Sequence, residues 1–170
     1  TGTQLITATN VTLHANGNIG SSGDRINVAA TNLGVNTTAG GSAFVATGAI
    51  NMGVGSAASN VAGTLDLLAG GAVTQTASTG NITAGTLKIQ NSAANSPITL
   101  TNSGNNAGTI NLQATSAGAI QYTDVNGFDV AAVLTTGNAT LSAGGTVTQS
   151  GAISASGLAL TGVGGDHNLR

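Results

Sequence analysis

The sequence predicts an all-β solenoid, and three observations carry that prediction. The phrase Ala-Gly-Thr-apolar-X-apolar occurs at Ala62–Leu67, Ala84–Ile89 and Ala107–Leu112, with starts 22 and 23 residues apart. A period in the twenties marks a chain that repeats one supersecondary unit. Within each copy apolar residues alternate with unrestricted ones, the rhythm of a strand with one buried face. The chain is also 40% hydrophobic but only 5% charged, with 27 glycines and no tryptophan. Its apolar content is too high and too regular for disorder, which needs too little buried surface to offset chain entropy. Each circuit should lay short strands on the circuit below.

Val11–Leu13, Ile19, Ile26–Val28, Leu33–Val35, Val45 and Ile50–Met52 lead into the repeats. One turn then holds roughly three strand segments, represented by Leu65–Leu67, Val73 and Ile82, with Gly-Gly, Gly-Asn and Ser-Gly as corners. Ile98–Leu100, Ile120–Tyr122 and Val130–Val133 continue the rhythm. Residues 67–75 and 141–149 share the pattern Leu-X-Ala-Gly-Gly-X-Val-Thr-Gln. The segments downstream of these two phrases match Ile82 to Ile153, Leu87 to Leu158 and Ile89 to Leu160, which predicts equivalent places in the coil. Residues 114–137 fit the rhythm worst and are expected to form an enlarged, irregular turn. Residues 1–170 are read as a single segment of roughly seven to eight turns, about 19–29 residues each, rising about 4.8 Å per strand to roughly 35 Å.

Stacking should bury Leu65, Leu87 and Ile110 in one column, each such side chain contributing about 1.5–3 kcal/mol. A single turn cannot cover its apolar face, so stability is a sum over interfaces between turns. Asp66, Lys88 and Asn111 should align outside, where an exposed Asp–Lys contact is worth about 0–1 kcal/mol. Phe44 points outward if Val45 points inward, as a lateral contact; a bulge would turn it inward.

Composition also excludes functions. Net charge is −2 and the cations are Arg25, Lys88 and Arg170, too few and too scattered for nucleic acid. Cysteine is absent, so no disulfide contributes. No apolar run reaches the length of a membrane span, and Thr1-Gly2-Thr3-Gln4 has neither the charged nor the apolar part of a signal peptide. With no initiator methionine and no polar cap near Leu5-Ile6 or Leu158–Leu160, the expectation is a piece of a longer repetitive protein, or a unit that stacks on copies of itself through its open edges.

Several phrases carry a family likeness: residues 10–24 (Asn-Val-Thr-Leu-His-Ala-Asn-Gly-Asn-Ile-Gly-Ser-Ser-Gly-Asp), the two Ala-Gly-Gly-X-Val-Thr-Gln phrases, and residues 153–160. They resemble the repeat regions of filamentous-haemagglutinin-type exoproteins, large bacterial adhesins exported by two-partner secretion or autotransport. The resemblance implies a right-handed parallel β-helix in an elongated secreted or cell-surface protein, a stalk that holds an adhesive or toxic tip away from the cell. It also implies host or cell-surface glycans or proteins as partners, beside neighbouring turns and end-to-end copies. The family's secretion domain with its Asn-Pro-Asn motifs is not seen: the sole proline, Pro97, lies in Asn-Ser-Pro.

No catalytic, cofactor-binding or metal-binding residue is assigned, and the protein is expected not to be an enzyme. The strongest contrary candidate is Asp124 with Asp129, beside Tyr122 and Phe128, because glycoside cleavage uses two carboxyl groups flanking the bond. Polar loop residues around Asn126-Gly127 are the simpler reading. His14 alternates with Leu13 and should face outward; His167 comes directly after Asp166 near the end. One histidine beside one aspartate falls short of the three or four ligands zinc takes. Gly162-Val-Gly-Gly-Asp166 is only a single, misplaced version of a calcium-binding repeat that works as stacked copies. The sequons at Asn10, Asn36, Asn81 and Asn138 are expected by chance in a chain rich in Asn and Thr.

Overall fold

A computed structural model describes residues 4–54, 58–76, 78–162 and 167–169. The described residues contain fourteen strands and no helix, coiled as a parallel β-solenoid of about seven turns. The strands are β1 (Leu5–Ala15), β2 (Ile26–Thr37), β3 (Ala43–Thr47), β4 (Ile50–Met52), β5 (Ser59–Ala69), β6 (Val73–Gln75) and β7 (Ile82–Asn91). They continue as β8 (Ile98–Leu100), β9 (Asn106–Ala114), β10 (Ile120–Asp124), β11 (Phe128–Leu134), β12 (Asn138–Ala143), β13 (Val147–Ser154) and β14 (Gly157–Gly162). Partners in neighbouring turns lie from 19 residues apart, as in Ile26↔Val45, to 25 apart, as in Val73↔Ile98.

Three faces result. The first stacks β2, β3, β5, β7, β9, β11 and β13; the second stacks β2, β4, β6, β8, β10, β12 and β14. A shorter third face joins the starts of β5, β7 and β9 through Asn60↔Thr83↔Asn106. The long strands β2, β5, β7 and β9 bend from one face into another without breaking. In β5 this bend includes a register shift between Val61 and Thr64, at the first Ala-Gly-Thr phrase. Glycine is required at this bend: a side chain at Gly85 would put its first carbon 2.6 Å from the Ala62 carbonyl oxygen one turn away.

The expected columns are present. Leu65, Leu87, Ile110 and Val130 pair in sequence on the first face, beside Val45, Leu67, Ile89, Leu112 and Val133. Ile50, Val73, Ile98, Ile120 and Ala139 make the column of the second face. All of these side chains are buried. Among the described residues the two end strands are covered on one side only: β1 pairs with β2 alone and β14 with β12 alone. Leu158, an inward residue by register, is accordingly 43% exposed.

Three expectations need correction. Residues 114–137 do not form an enlarged loop; they hold β10 and β11 in regular register, and the irregularity narrows to a bulge between Val130 and Ala132. Opposite that bulge, a side chain on Gly151 would reach within 1.7 Å of the Ala131 carbonyl oxygen, so glycine is obligatory there. Second, the two Ala-Gly-Gly phrases are not equivalent. Val73 lies on the second face between Ile50 and Ile98, whereas Val147 pairs with Phe128 on the first. Ile153 therefore stacks on Val133 and Leu158 on Ala139, while Ile82 pairs with Ser59 and Leu87 with Leu65. Third, Asp66 does line up with Lys88 and Asn111, but it is buried rather than exposed.

Candidate functional site

Two clusters hold most of the chain's unusual chemistry. The first sits on the outer side of the first face. Alternation turns Phe44 outward, since Val45 is in the core, and the Arg25 guanidinium lies 5.9 Å from the Phe44 ring centroid. Phe44, Asp66 and Lys88 occupy successive turns of one column. Arg25 reaches across Phe44 to place Nη2 3.0 Å from Asp66 Oδ1, and its Nη1 donates to the Asp66 carbonyl oxygen at 2.9 Å. From the other side Lys88 Nζ donates to Asp66 Oδ2 at 3.0 Å. One aspartate is thus clamped by two cations from different turns, with the arginine also packed on the aromatic face.

The second cluster lies inside. Tyr122 stacks between Leu100 and Leu141 in the core column and meets Phe128 edge-on, with ring centroids 5.3 Å apart. Its hydroxyl donates to Asp124 Oδ2 at 2.5 Å. The same carboxylate accepts from the backbone N–H of Ala107 at 2.8 Å and of Asn126 at 2.8 Å. Burial pushes the Tyr122 phenol far above its ordinary value, and the adjacent Asp124 charge adds to the shift. Asp124 obeys a rule seen at the same corner in other turns. Ser59 Oγ accepts from Val35 N at 3.2 Å, and Asn105 Oδ1 from Ile82 N at 2.9 Å. At the bend a side chain from a later turn supplies the acceptor that a buried backbone amide needs.

Asn105 is the residue sequence reading missed. It is fully buried, accepts from Gln75 Nε2 at 2.5 Å and donates to Leu100 O and Thr123 O, so it ties together three turns. Its setting, Ser103-Gly104-Asn105-Asn106, reads as an exposed turn. Only the recurrence of a polar residue at this corner could have pointed to it.

The carboxylate pair does not assemble. Asp124 is committed inside, whereas Asp129 is half-buried on the outer side, accepting from the hydroxyls of Thr148 at 2.9 Å and of Ser150. Tyr122 and Phe128 are in the core and offer no ring to a sugar. His14 is exposed, in register with Asn36; His167 is exposed, while Asp166 and most of the Gly162–Asp166 phrase lie outside the described residues. Among the described residues no three His, Cys, Asp or Glu side chains are grouped to hold a metal ion. Of the sequons, Asn10 accepts from Asn32 within an amide ladder that continues to Asn51, and Asn36 donates to Ala58 O. Asn138 is exposed and Asn81 half-buried. No helix among the described residues is long and apolar enough to cross a membrane.

What this architecture defines is a repeat protein with a β-solenoid body. Residues 40–113 and 117–169 match the family described as "Repeats of unknown function (DUF5649)", and the chain belongs to that family. No curated protein and no solved structure matches it.

Proposed function

We propose that the chain is a shaft segment of a large extracellular bacterial protein of the filamentous-haemagglutinin type, a rigid spacer that serves adhesion by presenting a distal tip. The observation that carries this reading is the unbroken stack of buried columns from Val45 to Val133 and from Ile50 to Ala139. A body built this way gains length turn by turn at constant cross-section, with stability summed over neighbouring interfaces. Its charges support a scaffold too, because Arg25, Asp66 and Lys88 neutralise one another across turns.

The test has two parts. An antibody against the segment is expected to label intact producing cells, and labelling only after lysis would overturn a surface location. Negative-stain microscopy of the purified chain is expected to show separate rods roughly 35 Å long, given a spacing of about 4.8 Å per strand. A second reading rests on the singly paired β1 and β14 and on the exposed Leu5 and Leu158. In it the chain is a fibre or sheath subunit that stacks end to end through open strand edges. Long filaments at rising concentration would favour that reading over the spacer.

A further inference from the structure

On the first face the outward positions Leu68, Gln90, Gln113, Leu134 and Ser154 form one column over five turns. Between this column and the adjoining corner runs a groove of about 500 Å³, within the range of ordinary ligand sites. Every described residue lining it is uncharged.

The polar groups there differ in what they have left to offer. Gln113 Nε2 is taken up by Asn111 Oδ1 at 2.8 Å. Ser92 and Thr115 spend their hydroxyl hydrogens on the carbonyls of Ala69 and Asn91, leaving their oxygens able only to accept. Gln90 is half-buried, and its amide bonds to no protein group among the described residues. An amide in that position offers two donors and an acceptor, the complement of a hydroxyl. Leu68, 39% exposed and one turn from Gln90, and the half-buried Leu134, beyond Gln113, are the apolar ledges of the groove.

From this we propose that the groove binds a neutral glycan, with the Gln90 amide hydrogen-bonding sugar hydroxyls and the two leucines under the C–H faces of the rings. An anionic polymer fits poorly. Lys88, the outward cation two residues from Gln90, is already held by Asp66, and a desolvated charge without a partner is costly. A chain laid along the axis would meet the same column at every turn, about 4.8 Å apart. The proposal goes beyond the spacer reading, which rests on the shape of the rod and survives its failure.

Affinity electrophoresis of the full chain in native gels containing dextran, galactomannan or amylose, with hyaluronan in parallel, tests it. At least one neutral polymer should retard the protein and hyaluronan should not. Gln90→Ala should weaken retardation about 3–10-fold, the loss of one or two hydrogen bonds, with an unchanged melting curve because the amide holds no protein group. Gln121→Ala, outward on the second face, should bind as wild type. Retardation by none of the neutral polymers, by hyaluronan alone, or equally for wild type and Gln90→Ala overturns the proposal.

Discussion

Asp66 and Asp124 are both buried, at 4% and 3% exposure, yet the protein accommodates them in opposite ways. Asp66 belongs to the outer wall and is covered by long cationic side chains from earlier and later turns. Asp124 belongs to the inner corner and has no cation among the described residues. Two backbone amides and a phenol hold it. The outer arrangement is electrostatic and adjustable, since Arg25 and Lys88 keep 15% and 31% of their side-chain surface in water. The inner one is a directional acceptor site that replaces a missing strand partner. Removing the second should therefore cost more than removing the first.

A third aspartate with neither kind of support sets the upper limit of that comparison. Ile110→Asp, in the core column, should cost more than about 4 kcal/mol and abolish cooperative melting. Asn111→Asp, next along the chain and beside Lys88, should change stability by less than about 0.5 kcal/mol. Equal melting temperatures for the two variants would contradict the alternation itself.

Asp124→Ala orphans the amides of Ala107 and Asn126 and should cost about 2–4 kcal/mol in denaturant unfolding. Tyr122→Phe, which leaves the ring in place, should cost about 1–2 kcal/mol. The same phenol makes stability depend on pH in a defined direction. Its folded pKa is raised above the unfolded value of about 10. Its contribution is therefore complete below about pH 10 and is lost as pH rises beyond it, where the unfolded chain releases a proton the folded chain keeps, with a slope of up to about 1.4 kcal/mol per pH unit. Tyr122 is the only tyrosine, so phenolate absorbance should appear together with unfolding, and Tyr122→Phe should remove that alkaline slope. Phenolate appearing in the folded protein near pH 10 would contradict the burial.

Of the changes to the two aspartate clusters, the smallest effect should come from Asp66→Asn, about 1 kcal/mol and diminishing in high salt, because both cations can turn toward solvent. If this variant proves more damaging than Asp124→Ala, the contrast between the two aspartates fails.

Much of the fold was legible in residues 62–112, where the period is nearly constant and each copy carries the same alternation. The spacing alone put Leu65, Leu87 and Ile110 in one column, whereas Phe44 was outward only on condition that Val45 pointed inward and no bulge intervened. Reading went astray where identical words occupy different places. Leu-X-Ala-Gly-Gly-X-Val-Thr-Gln turns from the first face to the second at 67–75, and from the second back toward the first at 141–149. A Gly-Gly corner leading into a strand is chemically the same at any corner, so the phrase encodes a turn without saying which one. Asp124 and Asp129, beside Tyr122, came up as a contrary candidate for a related reason. Proximity in the chain does not tell which side of the wall a residue faces once the chain turns from one strand, ending at Asp124, into the next, starting at Phe128.

Local chemistry therefore determined the strand-and-corner alphabet of this protein: period-two alternation sets which residues point inward wherever a strand is continuous, and small residues mark where it bends. The stacking of one turn on another decided the rest. Turn lengths from 19 to 25 residues set which corner each phrase occupies, and only that placement brings Arg25 over Asp66 or Asp124 under Ala107. Those contacts join residues about 17 to 41 apart in sequence, separations over which the backbone carries no side-chain direction.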